Sequence, residues 1–195
     1  VSTAESAANP APNVFGFNNA LSSDSDPLNS STARTTGVEG FGSDILILRN
    51  QLVQSIADPD RADGSMIDCM GNSLTDAGSA SSTRDERMAS ILSVKVSQGE
   101  PSLMCSTVNS AGTITSAQPI VQGVENFQVL YGTEGVTPNT APPSTYGITA
   151  GAPAPTSSAA WTAWAASLNQ RPDRYLRADQ MAVAGSAINT NANWR

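Results

Sequence analysis

The chain has 195 residues, a formal charge of −7 and a sequence pI near 4.4, with only 14% charged residues. That length suits one domain, 1–195, large enough to bury a core of its own. The acidic balance excludes the basic footprint that nucleic acid or an anionic membrane demands. There is no histidine, so Ser-His-Asp and Cys-His catalysis are excluded.

Residues 1–43 are rich in Ser, Asn, Pro and Gly and read as a loop-rich segment. Phe15, Phe17 and Phe41 are its apolar anchors against a sheet. "SDILILRN" (43–50) is the first predicted strand, a continuous apolar run between polar residues. "QLVQSIADPDRADGSMIDC" (51–69) predicts a short strand, an acidic turn and another short strand. Within it, Asp58, Asp60 and Asp63 form a candidate calcium loop. The third acid comes one residue late and no Glu follows at EF-hand distance. A solvated turn bent by Pro59 is the simpler reading.

"RMASILSVKVS" (87–97) alternates Leu92, Val94 and Val96 with Ser93, Lys95 and Ser97, predicting a strand with a dry and a wet side. Gln98-Gly99-Glu100 predicts a hairpin turn into "PSLMCST", and "NSAG" a second turn into "TITSAQPIV". "QPIVQGVENFQVLYG" (118–132) continues as a further strand in which Phe127, Val129 and Tyr131 alternate as core side chains. Residues 87–131 therefore form a predicted antiparallel meander. The Pro/Gly/Thr-rich stretch 133–157 is a long loop, too polar and proline-broken for core. "AAWTAWAASL" places Trp161, Trp164, Ala165 and Leu168 on one helical face, capped by Ser157 or Ser158. "RPDRYLRADQMAVAG" predicts a turn and a second short helix ending near Gly185. Strands first and small helices late give an α+β class with an antiparallel sheet.

Catalytic residues do not emerge. Lys95 lies on the wet side of its strand, where a Ser-Lys dyad is less economical than a solvated lysine. Asp24 with Asp26, and Asp85 with Glu86, read as surface charges rather than an acid–base pair. "GVEGFG" lacks the helix a dinucleotide site requires. Cys69 and Cys105 belong to no CxxC pair, which argues against zinc. They admit two readings: two buried thiols, or one disulfide, which the secreted-type composition favours.

In order along the chain, "SDILILRN", "MIDCMGNSL", "GEPSLMC", "VENFQVLYG" and "RYLRADQM" resemble segments of the PilW family of minor pilins of type IV pili. The resemblance covers most of residues 43–182, and both cysteines together with "VENFQVLYG" carry it best. It implies a pilin-like fold, a Cys69–Cys105 disulfide, no cofactor and no catalysis. It further implies partners among the other minor pilins, the pilus tip complex and the major pilin filament. The implied setting is the inner membrane and periplasm before assembly, then the extracellular pilus tip. The family's apolar N-terminal helix, its link to the membrane, is missing from this sequence, as expected of a soluble ectodomain. Relatives also continue beyond "NANWR" into another strand. A J-type pseudopilin of type II secretion is the nearest alternative. A glycan-binding adhesin module using Trp161 and Trp164 is a more distant one.

Overall fold

The structure, a computed structural model, describes residues 11–29, 32–53, 55–58, 61–73, 87–109, 112–142 and 172–194. It has two compact units, 1–129 and 130–195.

The first unit is built on an antiparallel sheet of five strands in chain order. They are β1 (Val14–Phe17), β2 (Ile45–Gln51), β3 (Arg87–Ser97), β4 (Glu100–Val108) and β5 (Ile114–Gln122). The predicted meander is present as far as Gln122, and the sheet extends further upstream than expected, because "VFGF" in the loop-rich segment pairs with β2 as an edge strand. Phe15 and Phe17 sit directly across from Ile47 and Ile45, and their rings meet edge to face at 5.3 Å. Cross-strand aromatic–branched pairs of this kind stabilise a sheet by about 0.2–1 kcal/mol each. Phe41, by contrast, is exposed.

One sheet face holds the main core: Ile45, Ile47, Ala89, Ile91 and Val108, with Ala20, Phe15, Phe17, Leu28 and Ile114 packed on them. This corrects the expected two-sidedness of β3. Ser93 is fully buried while Val96 is half exposed. Ala89 and Ile91 share the side of Ser93 and Lys95, so the supposed wet side is the core side. Over it fold Ala20 and Leu28, and Asp24 holds the Lys95 ammonium. The opposite face buries Met88, Val94 and Cys105.

Two residues, Gln98 and Gly99, connect β3 to β4, both with positive φ (54° and 85°), the geometry that matches strand twist. At the second turn the Asn109 side chain accepts from the Thr113 amide at 2.8 Å. The edge strand β5 contains Pro119, and its pairing with β4 shifts register at two places. Proline lacks a donor and bulges break the ladder, and both are tolerated at a sheet edge.

Among the described residues of 52–73 the expected pair of short strands is reduced to bridge-length pairing: across the acidic turn the Ser55 amide donates to the Arg61 carbonyl at 2.7 Å and the Asp63 amide to the Val53 carbonyl at 2.8 Å, and Ile67 bridges Ser73. Polar side chains close this segment on itself. Asp68 accepts from the amides of Met70 and Asn72 at 2.8 and 2.9 Å, shaping a tight turn around Gly71.

Gly40 occupies the left-handed region at φ +72°, and a Cβ there would lie 2.8 Å from Arg34 Nη1 and 3.0 Å from Val94 Cγ1. Gly99 also has positive φ but faces open space. Gly40→Ala is therefore expected to cost about 2–4 kcal/mol, from backbone strain plus forced packing. Gly99→Ala should cost only the backbone part, about 1–2 kcal/mol. Urea denaturation of the two variants checks the difference.

The second unit pairs β6 (Tyr131–Thr133) with β7 (Arg174–Leu176) and adds helices α1 (Ala178–Met181) and α2 (Ala187–Asn193). The stretch predicted as a turn and a short helix ending near Gly185 holds β7 and the single-turn helix α1, and α2, beyond Gly185, is a helix that sequence periodicity did not show. Ser186 caps α2 through the Asn189 amide at 3.3 Å. The Trp161–Leu168 helix lies outside the described residues.

Candidate functional site

The most organised polar constellation lies where the chain enters β2. Ser43 and Asp44 are almost wholly buried, and each fastens two segments. Ser43 accepts the Ala20 amide on its carbonyl, at 3.0 Å, and the Phe127 amide on its hydroxyl, at 3.1 Å. Asp44 donates its amide to the Phe127 carbonyl at 2.7 Å. Its carboxylate takes the amides of Asn19 and Val129, both at 2.9 Å. Asn126 completes the joint by donating to the Phe41 carbonyl at 3.1 Å.

Beside it, Arg34 is 3% exposed, and its guanidinium donates to the carbonyls of Ala20, Glu39 and Val94. Burial pushes the Arg34 pKa down, and the negative charge of Asp44 opposes that shift. A buried cation satisfied by backbone carbonyls and balanced by a nearby carboxylate organises structure. It offers neither a nucleophile nor a base to a substrate.

Residues 124–130 were expected to be a ladder strand. They are extended with alternating exposure, Phe127 and Val129 being half-buried, yet they belong to no ladder, and only Tyr131 opens a strand. The physical reason is the partner: side chains and single backbone groups at 41–44 replace a neighbouring strand. Sequence alternation reports burial on one side, which this strap has, but not the ladder. Asp44 and Arg34 went unnoticed in the sequence. The available signal was a Ser-Asp pair immediately before an apolar strand, preceded by closely spaced glycines.

Cys69 and Cys105 form the disulfide that the resemblance implied, with Cα atoms 6.0 Å apart. The Cys69 amide also donates to the Ser90 hydroxyl at 3.1 Å, so the Asp68 turn is pinned on β3 and β4 together.

Of the calcium candidates, Asp58 and Asp63 are described and Asp60 lies outside the described residues. The Asp63 carboxylate is engaged by the hydroxyl and amide of Ser65, which hold its pKa below the ordinary value. Among the described residues no group of three His, Cys, Asp or Glu side chains is placed to hold a metal. Lys95 donates to Asp24 rather than to a serine. Asp85, Glu86, Trp161 and Trp164 lie outside the described residues.

In the second unit Tyr131 packs edge-on against Trp194, ring centres 4.5 Å apart. Asn139 ties the start of the 133–157 loop to α1, donating to the carbonyls of Asp179 and Ala182 at 2.8 and 3.2 Å. Asn193 donates to Thr140 and Met181 from the other side. Residues 143–157 of that loop lie outside the described residues.

Arg177 grips Asp179 with two hydrogen bonds of 3.0 Å, which hold that carboxyl below its ordinary value of 3.8. A depressed folded pKa contributes stability above pH 3.8 that disappears as pH falls through the lower folded value. The pair is half exposed, so the contribution is about 0.2–1 kcal/mol. Asp179→Asn should accordingly lower stability at neutral pH and flatten its decline in acid. Unfolding curves of the two proteins should converge near pH 2, an approximate limit set by full protonation.

Among the described residues no helix is long and apolar enough to cross a membrane. The family model described as Type IV Pilus-assembly protein W matches residues 91–195, more than half of the chain. No curated protein and no solved structure gave a match.

Proposed function

Because the chain belongs to the PilW family of type IV pilus-assembly proteins, we propose that it works as a non-catalytic minor pilin. In this reading it joins other minor pilins to prime assembly at the inner membrane and then sits near the pilus tip. The family match carries the proposal, since it spans β4, β5, the strap and the second unit. The antiparallel meander and the absence of histidine fit a scaffold whose surface is recognised. A pilin-like fold, with the sheet packed on a helix supplied from elsewhere in the protein, belongs to the same proposal. Loops of such a scaffold vary and carry contacts, and residues 133–157 are the leading loop. No cofactor is required; calcium at Asp58, Asp60 and Asp63 would show as a rise in melting temperature with added calcium.

The test is size exclusion and calorimetry of the purified protein with the minor pilins encoded beside it. A stoichiometric complex is expected, weakened when residues 143–157 are deleted. A protein that stays alone with every one of them overturns the proposal.

A further inference from the structure

The last strand of the sheet has a neighbour on one side only. β5 pairs with β4 and runs nine residues, Ile114–Gln122, against four for β1 at the other edge. Among the described residues it makes no backbone hydrogen bond outside its ladder with β4. Its sequence, "ITSAQPIVQ", carries no charge, and Ile120 and Val121 are about half exposed. A long, uncharged edge with β-branched side chains invites pairing with another chain, and charged side chains are the usual deterrent. β5 has none.

The register supplies a different deterrent. Val121 faces Leu103 and Pro119 faces Met104, so Ile120 is an extra residue on β5. Gln118 faces Cys105 and Thr115 faces Thr107, so residues 116–117 stand against Ser106 alone. Both extra residues therefore lie in the edge strand, one on each side of Gln118 and Pro119. They leave regular stretches of only two residues each: 114–115, 118–119 and 121–122. A bulge bends its strand and raises the local twist. Proline is accepted in an edge strand with its nitrogen outward, so the donor it lacks is one an added strand would use. Pro119 and Ile120 are both exposed, so neither interruption serves to fill the core.

We propose that Pro119 and the two bulges are a guard that keeps β5 from pairing with β5 of a second copy. A two-fold axis at this edge would lay identical strands antiparallel, with no like charges to hold them apart. Such pairing would fuse two five-stranded sheets into one while leaving each copy folded. The guard acts on backbone groups at the edge, whatever covers the faces of the sheet, and it is independent of the pilus reading.

The experiment follows the full chain by sedimentation velocity from about 10 μM to about 1 mM, with amide exchange read on residues 114–122. Wild type is compared with Pro119→Thr and with Pro119→Thr carrying a deletion of Ile120, which removes the proline and the nearer bulge. Wild type is expected to stay monomeric. Pro119→Thr should dimerise toward the upper end of the range, because each copy regains a donor. The deletion variant should dimerise at about tenfold lower concentration, and in both variants amides of β5 become newly protected. The deletion shortens the chain leading to residue 124; should it fail to fold, Pro119→Thr carries the test alone. Adding Gln118→Lys should return either variant to monomer, since paired copies then bring lysine close to lysine. Folded variants that stay monomeric at about 1 mM with β5 unprotected overturn the guard. So does a wild type that already dimerises with those amides protected. Association that Gln118→Lys fails to reverse lies elsewhere on the chain and equally overturns it.

Discussion

Asp44→Ala is expected to lower the unfolding free energy by about 3–5 kcal/mol, because two buried amides lose their acceptor and a buried cation loses the nearby charge that offsets its desolvation. Two effects add. The amides of Asn19 and Val129 lose an ionised acceptor, and hydrogen bonds to charged groups contribute about 1.5–3 kcal/mol each. Arg34 also remains buried without the negative charge that offsets its desolvation. Asp44→Asn keeps the shape and one acceptor oxygen, so its cost should be clearly smaller. Guanidinium denaturation gives the free energies, and hydrogen exchange should show faster exchange at Phe127 and Val129. A loss under about 1 kcal/mol for the alanine variant would mean that the joint is solvated and not structural.

Removing the disulfide with Cys69→Ser/Cys105→Ser should cost a comparable amount. The bridge closes 36 positions of chain, for which the chain-entropy treatment gives about 4 kcal/mol. For a protein of this size that lowers the melting temperature by roughly 8–16 °C. Cys105 is fully buried, so a serine there adds an unpaired hydroxyl to the interior. The Asp68 turn keeps its own hydrogen bonds and should persist while detached from the sheet. Calorimetry of the oxidised protein, the reduced protein and the double variant separates the tether from the hydroxyl. Equal melting temperatures for all three would contradict the tethering role.

Much of the sheet was legible because its strands are local. β2 and β3 are apolar runs between polar ends, and Gln-Gly and Asn109 mark turns whose chemistry is self-contained. The errors lie where partners are distant. "VFGF" becomes a strand only because β2 offers it an edge. The side of β3 that is wet depends on loop 18–28 folding across it, which alternation cannot register. Residues 124–130 look like a strand because one side is shielded, yet the shield is a pair of side chains rather than a ladder. The buried joint at Arg34 and Asp44 was invisible for the same reason: burial of a charged residue is a property of its surroundings.

The strap also separates early from late events in folding. The β3–β4 and β4–β5 hairpins close over a few residues, and such contacts form quickly. The bonds from Phe127 and Val129 to Ser43 and Asp44 close 84 and 85 positions of chain. Their loop entropy must be overcome after the meander exists, so substitutions at Asp44 should speed unfolding while leaving the folding rate nearly unchanged. The same order run backwards makes residues 124–129 the first part of this unit to peel away when the chain is pulled from residue 130.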